Sequence, residues 1–332
     1  MPQDAFKALV VDQHDGAVQA SIQELQRDSL PAGDVLVAVA YSSINYKDGL
    51  AVTGQGKVVR SYPMVPGIDL AGTVVESTSP DFKPGDHVVL TGWGVGERHW
   101  GGYARMARVR SDWLLPLPEG LSLKQAMGIG TAGLTAMLCV LALEERGLRL
   151  DEREVVVTGA SGGVGSMAVA ILAQLGYNVV ASTGRIESHD YLKSLGARQI
   201  VDRRMLSTPC SKPLESERWA GAVDTVGGDT LAKLLCTLSY GAAVAACGLA
   251  GGSDLHTTVF PFILRGVSLL GIDSVLCPQA RRRAAWARLV HDLPGEMIDR
   301  IIQVAPLEEV VALSHDILQG HIRGRVVVDV NG

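Results

Sequence analysis

The chain has 332 residues, a length that fits two domains of ordinary size, and its 47% hydrophobic content is enough to bury a core in each. A formal net charge of −5 argues against a general polyanion-binding surface. Nucleic acid is therefore not an expected partner, and any phosphate must be held by a local cation or by backbone amides. The opening stretch MPQDAFKALVVDQ lacks a basic segment followed by an apolar one, and no apolar run is read as reaching about 18 residues. The expectation is no membrane span and a cytoplasmic location.

Five cysteines, Cys139, Cys210, Cys236, Cys247 and Cys277, show no C-x-x-C spacing and sit mostly in apolar surroundings, which predicts buried free thiols. The histidines are dispersed, with no i, i+4 pair, so no metal is expected.

Up to about residue 125, short β patterns are broken by glycine and proline: 34–41, 72–77 and 87–92. Closely spaced strands of this kind predict a compact, barrel-like β domain. From about Gly128 strands alternate with longer helical stretches. Six are predicted, over 155–158, 178–182, 199–201, 222–225, 242–247 and 268–272, enough for a full doubly wound dinucleotide fold. A basic helix near 279–293 and a helix start at 306–310 follow. The closing strand, 324–330, is assigned to the first domain.

After the strand VVVT, the run Gly159-Ala160-Ser161-Gly162-Gly163-Val164-Gly165 leads into a predicted helix over 166–175. A glycine turn opening a helix lets phosphate oxygens approach N–H groups at the positive end of the helix dipole. Ala160 replaces the first glycine of G-x-G-x-x-G, with Gly162 and Gly165 in the other two places. NAD-specific folds place a carboxylate at the end of the second strand, about twenty residues on. Here the sequence reads Ser182-Thr183-Gly184-Arg185. An acid there would repel a 2′-phosphate, whereas the Thr183 hydroxyl and Gly184 amide can hydrogen-bond it and Arg185 can pair with it. NADPH is the expected cofactor.

Loops after the later strands could meet the nicotinamide: Gly248 and Leu249 in ACGLAGG, Phe262 and Ile263 in FPFILRG, and Asp273-Ser274. Core packing explains their apolar residues equally well. In the first domain SSINYKDGLAVTG brings together Asn45, Tyr46, Lys47 and Asp48 just after a strand. Tyr46 can donate or accept a hydrogen bond, Lys47 can pair with phosphate, and Asn45 and Asp48 can orient a ligand or cap a helix.

The segments NYKDGLAVTG, RSYPMVPGIDLAGTV, LTGWGVGERHWGGYA, IGTAGLTAMLCVLALE, VVVTGASGGVGS, GAVDTVGG, AACGLAGG, FPFILRGVSLLGIDSV and GRVVVDV span most of the chain. Together they resemble the medium-chain dehydrogenase/reductase superfamily, in its zinc-free quinone-oxidoreductase-like branch, and within it the acrylyl-CoA reductases of the AcuI type. The resemblance implies a GroES-like β-rich catalytic domain, residues 1–125 and 298–332, with a Rossmann NADPH-binding domain, residues 126–297, inserted between. It also implies hydride transfer from NADPH to the β-carbon of acryloyl-CoA, giving propanoyl-CoA, and a homodimer joined through the dinucleotide domains. Zinc members carry a Gly-His-Glu stretch where this chain reads Gly67-Ile68-Asp69, in agreement with the metal-free reading.

Carried over by position, Tyr46, Ser161, Gly162, Gly163, Val164, Thr183, Gly184, Arg185, Leu249, Ile263, Ser274 and Arg323 would bind the cofactor. Tyr46, Asn45 and Asp48 form the candidate catalytic group, Tyr46 polarising or protonating and the other two positioning. A phenol is a weak acid at neutral pH, so water is an alternative proton donor. Arg60, Arg98 and the run Arg281-Arg282-Arg283 are cations available for coenzyme A phosphates. The stretch 203–217 matches poorly and reads as variable surface. Two other functions stay open: an NADPH:quinone oxidoreductase, because a quinone is also a conjugated acceptor, and a non-catalytic NADPH-binding protein.

Overall fold

In the computed structural model the described residues are 5–151 and 153–332; residues 1–4, part of the amino-terminal stretch read above, and Glu152 lie outside them. The chain divides into two compact units: Met1–Thr131 with Val275–Arg283 and Ile298–Gly332, and Ala132–Ser274 with Ala284–Met297. The first unit thus extends six residues past the boundary expected at 125 and also takes in 275–283.

Within the first unit, β1 (Ala5–His14) and β2 (Ala17–Gln26) form an antiparallel hairpin. A larger sheet contains β3 (Val35–Ser43), β4 (Asp69–Ser77), β5 (His87–Thr91), β6 (Met106–Val109) and β7 (Leu115–Pro116). The expected strands at 34–41, 72–77 and 87–92 correspond to β3, β4 and β5. β3 sits at the centre because its apolar side chains are covered on both faces: Val35, Leu36, Val37 and Val39 are buried among Leu70, Val88, Leu90, Tyr103 and Val109.

The second unit is a six-stranded parallel sheet. Its strands are β8 (Glu154–Val157), β9 (Asn178–Thr183), β10 (Gln199–Asp202), β11 (Trp219–Asp224), β12 (Leu238–Ala246) and β13 (Ser268–Gly271), in the spatial order β10-β9-β8-β11-β12-β13. All six expected strands are present, and the order reverses beside β8, the switch point at which such sheets bind nucleotides. Continuous apolar runs such as Val155-Val156-Val157 fit because parallel strands are buried on both faces. β14 (Ile302–Pro306) and β15 (Arg325–Asp329) complete the first unit. β15 runs antiparallel to β3, with Val327 opposite Ser43 and Val328 opposite Ser42, so the closing strand lies in the first unit's sheet.

Three helices position candidate residues: α1 (Tyr46–Thr53), α2 (Leu123–Glu145) and α3 (Gly163–Gln174). α3 starts three residues before its expected position, so the amides of Gly163, Val164 and Gly165 belong to its first turn. α2 corrects one expectation: it carries an apolar 18-residue window of the length and composition of a span, which the sequence reading passed over. That window is 83% buried in the protein interior, as a core helix is.

α2 is broken at Gly130, whose φ of 49° and ψ of −156° are not helical. A Cβ there would lie 2.7 Å from Asp69 Oδ2 and 2.9 Å from Arg325 Nη2. Gly130→Ala is therefore expected to combine backbone strain of about 1–3 kcal/mol, in a positive-φ region that only glycine adopts readily, with a collision against buried charges. Calorimetry should show a melting temperature lower by several degrees, and an unchanged value would remove Gly130 from the set of required glycines.

Candidate active site

The first unit's candidate residues stand on a buried ionic network. Asn45 precedes α1 in extended conformation, and the Asp48 carboxylate accepts the Asn45 backbone N–H at 3.0 Å, the Asn45 side-chain amide at 3.1 Å and the Ile68 N–H at 3.0 Å. This is the capping box that the Asn45–Asp48 spacing allows, satisfying donors left free at a helix start. Both residues are buried, so they act through α1 and not on bulk solvent. Tyr46, the first residue of the helix, is 45% exposed. Lys47 is not free for phosphate: it pairs with Glu97 at 2.8 Å.

Asp69, on β4, is fully buried beneath this turn. Its carboxylate accepts Ser43 Oγ at 2.6 Å, Asn45 Nδ2 at 2.9 Å, Thr131 N–H at 3.0 Å and Thr131 Oγ1 at 2.6 Å. Arg325, from β15, donates to Gly128 O, Ile44 O, Asn45 Oδ1 and Ser43 Oγ at 2.8–3.2 Å and lies 3.8 Å from Asp69. Burial pulls the Arg325 pKa down, against the charges of Asp69 and Asp48. Tyr103 donates to Ser43 O at 3.1 Å, and burial keeps its phenol well above the usual range. Sequence reasoning missed Asp69, Arg325 and Tyr103 as supports of the Tyr46 turn. Asp69 was noted only for the missing zinc motif, and nothing local links a residue at 325 to one at 45.

The second unit assembles its candidates at the carboxyl ends of β8, β9, β10, β11 and β12. Gly162 caps α3, and a Cβ on Gly165 would strike the Gly159 carbonyl, so the loop can close this tightly only with glycine at 165. Ser161 and Thr183 hydroxyls lie 3.3 Å apart, and Thr183 Oγ1 accepts the Arg185 N–H at 3.2 Å. The later loops are tied by Asp224, fully buried: it accepts Thr158 Oγ1 at 2.6 Å and Gly227 N–H at 2.8 Å, and burial raises its carboxyl pKa. Leu249 packs over Gly227, with its own side chain mostly exposed. Ile263 is exposed on a short helix, Phe260–Arg265, and Ser274 is partly buried beyond β13. Arg323 is exposed in the first unit, just before β15.

Two features of this edge were not foreseen. Arg203, placed in the stretch read as variable surface, follows β10 as Gly184 follows β9. Its amide donates to Thr183 O at 3.1 Å, and its side chain covers the Gly184 Cα so closely that a Cβ there would lie 2.6 Å from Arg203 Nε. A carboxylate also arrives from the neighbouring strand: Asp202 stands in register with Thr183. Arg204 engages that carboxylate through its backbone N–H and guanidinium, holding its pKa at about 2. The edge therefore offers two arginines and a neutralised acid. A dinucleotide pyrophosphate fits the amides of α3's first turn, and a 2′-phosphate fits the Thr183–Arg185 and Arg203 group.

Comparison with known proteins agrees with this architecture. The Alcohol dehydrogenase GroES-like domain matches residues 31–119, and the Zinc-binding dehydrogenase domain matches 163–291. Acrylyl-CoA reductase AcuI of Ruegeria pomeroyi is 58% identical over 98% of this chain and 99% of its own. The chain belongs to the medium-chain dehydrogenase/reductase superfamily, in its acrylyl-CoA reductase family. A Salmonella enterica yhdH oxidoreductase solved in complex with NADP superposes with a TM-score of 0.96 at 56% identity, covering 98% of this chain and 99% of that one. The putative quinone oxidoreductase YhfP of Bacillus subtilis is 49% identical over 97% of this chain and 98% of its own.

Other cations and thiols also changed standing. Arg282 is not available to a ligand: it is buried, donating to Thr91 O and Oγ1 at 2.8 Å each. Arg60 and Arg98 are exposed. Of the five expected free thiols, Cys139, Cys247 and Cys277 are outside any disulfide, whereas Cys210 and Cys236 are joined in one. Spacing could not show this, because Cys210 reaches Cys236 only through the folding of 203–217 against β11 and its flanking helix. Among the described residues, ligand atoms of Cys210, Glu215 and Cys236 lie within 4.8 Å of one another. No metal was expected, and both sulfurs there are already committed to each other.

Asp48 has its pKa raised from 3.8 to about 7, first by burial and then by the Asp69 charge. Between those values the folded chain keeps a proton that the unfolded chain has lost, so stability falls as pH rises from about 4 to about 7 and levels above. In Asp69→Asn the second cause is gone. The decline in melting temperature, followed by circular dichroism, is expected to end at lower pH than in the wild type; an unchanged upper limit would exclude coupling between the two acids.

Proposed function

We propose that this protein is an NADPH-dependent reductase of acryloyl-CoA, forming propanoyl-CoA in the cytoplasm. Near-full-length likeness to an acrylyl-CoA reductase at 58% identity carries the substrate. The strand-end group of Thr183, Gly184, Arg185 and Arg203 supports the phosphorylated cofactor. NADPH, when bound, supplies the hydride accepted by the β-carbon of the enoyl thioester.

The chain's own residues do the rest. Ser161, Gly162, Gly163 and Val164 hold the pyrophosphate at the start of α3, and the Thr183 hydroxyl, Gly184 amide, Arg185 and Arg203 hold the 2′-phosphate. In the second unit Leu249, Ile263 and Ser274 form the nicotinamide side. Tyr46 donates a hydrogen bond to the thioester oxygen, where charge develops as the β-carbon is reduced. Asn45 and Asp48 hold Tyr46 at the head of α1. No metal, membrane or nucleic acid takes part.

The reading includes a homodimer. Among the described residues β13 is the sheet's outer strand, paired with β12 alone, and beside it Phe260, Leu264 and Leu269 are exposed apolar side chains. Sedimentation should find a dimer, and Leu264→Lys with Leu269→Lys should convert it to monomer; a monomeric wild type would end this part of the reading.

NADPH oxidation should be fast with acryloyl-CoA and slow with a benzoquinone, the substrate of the rival quinone-reductase reading. Equal rates, or none with either, would overturn the assignment. Arg185→Ala and Arg203→Ala should each weaken NADPH about 10- to 100-fold by fluorescence titration, the loss expected for a charge-assisted hydrogen bond, and leave NADH nearly unchanged.

A further inference from the structure

The Cys210–Cys236 pair lies outside every site described so far, and it anchors the chain that carries Arg203. Arg203 opens a single helical turn, Arg204–Ser207, from which Leu206 is buried in the sheet's core. The chain then runs as a strap through 208–217. Cys236 stands near the end of the helix Gly228–Thr237, so the disulfide ties the start of the strap to that helix.

The far end of the strap is held separately. Glu215 N–H donates to Cys236 O at 3.0 Å, its carboxylate pairs with Lys233 at 2.6 Å, and Arg265 donates to its carbonyl and to Cys236 O. Residues 211–217 would therefore stay in place without the sulfur link. Arg203 is tied by its N–H to Thr183 O and its turn by the buried Leu206, and residues 208–210, which continue that turn, have the disulfide as their covalent anchor.

We propose that Cys210–Cys236 is a reversible dithiol–disulfide site whose oxidation tightens NADPH binding by fixing the strap behind Arg203. Disulfides in the cytosol are mostly transient and redox-sensing, so the pair suits a switch better than a permanent staple. Cys210 is partly exposed and Cys236 buried, so an incoming small thiolate reaches Cys210 Sγ first. Its sulfur bonds to Cys210, the Sγ–Sγ bond breaks, and Cys236 leaves as a thiolate and takes up a proton. A second small thiol then attacks the mixed disulfide, freeing Cys210 and forming the small-molecule disulfide. Two thiols are oxidised and one protein disulfide is reduced; glutathione disulfide drives the reverse.

The inference rests on two parts of the proposed function, Arg203 as a 2′-phosphate ligand and the cytoplasmic location, but not on the identity of the substrate. The full-length protein would be incubated with glutathione disulfide or with dithiothreitol, desalted, and divided. One portion is alkylated and mapped by mass spectrometry; the other is titrated with NADPH and with NADH by fluorescence. Expected are a Cys210–Cys236 cross-linked peptide in the oxidised sample and five alkylated thiols in the reduced one. The reduced protein should bind NADPH about two- to tenfold more weakly, the range for losing the pre-ordering of one or two side chains. NADH should be unaffected.

Cys210→Ser and, independently, Cys236→Ser should match the reduced protein in both conditions. Five alkylated thiols after glutathione disulfide, tightly retained zinc on the pair, or equal NADPH affinity in the two states would each overturn the proposal. Acryloyl-CoA turnover is not a readout here, so failure of the substrate assignment would be seen separately.

Discussion

Three buried charges organise the first unit. Asp48, Asp69 and Arg325 carry a net charge of −1 when all are ionised, and each is almost wholly removed from water. Burying one such charge alone is unfavourable by several kcal/mol, so the arrangement persists only because nearly every donor and acceptor in it is matched. Asp69 takes four hydrogen bonds and Arg325 gives four. The elements that supply the partners are thereby fixed to one another: the end of β3, the head of α1, the break in α2 at Gly130, and β15 from the far end of the chain.

That network explains why a catalytic candidate can sit on a helix of eight residues. α1 is too short to be stable alone. Asp48 caps it from inside, and Asn45 is gripped by Asp69 and Arg325, so Tyr46 projects from a turn that cannot shift without disturbing buried charge. Exposure of the phenol and rigidity of its base are thus separate properties, provided by different residues.

The nucleotide edge works by a different principle. Its amides and hydroxyls are arranged by strand ends in register, and charged side chains from two neighbouring strands gather around them. The missing acid after β9 was legible as Ser182-Thr183-Gly184-Arg185. What the sequence could not show is that Asp202 arrives beside Thr183 from the next strand and is neutralised by Arg204, or that Arg203 closes over Gly184. Those relations depend on the pairing of β9 with β10, and pairing partners are not encoded in local periodicity.

The sequence by itself determined the alternation that makes the second unit a parallel sheet, because apolar runs of four to six residues separated by helical stretches have few other ways to be buried. It also determined the glycine loop, and the capping residues Asn45 and Asp48, since their spacing is a local property of a helix start. Only the tertiary structure decided which side chains support them. Asp69, Tyr103 and Arg325 come from three separate strands or loops, Asp224 draws the later loops together, and Cys210 meets Cys236 across 26 positions. Contacts at such separations follow from topology, where chain entropy has already been overcome by burial, and no short window of sequence contains that information.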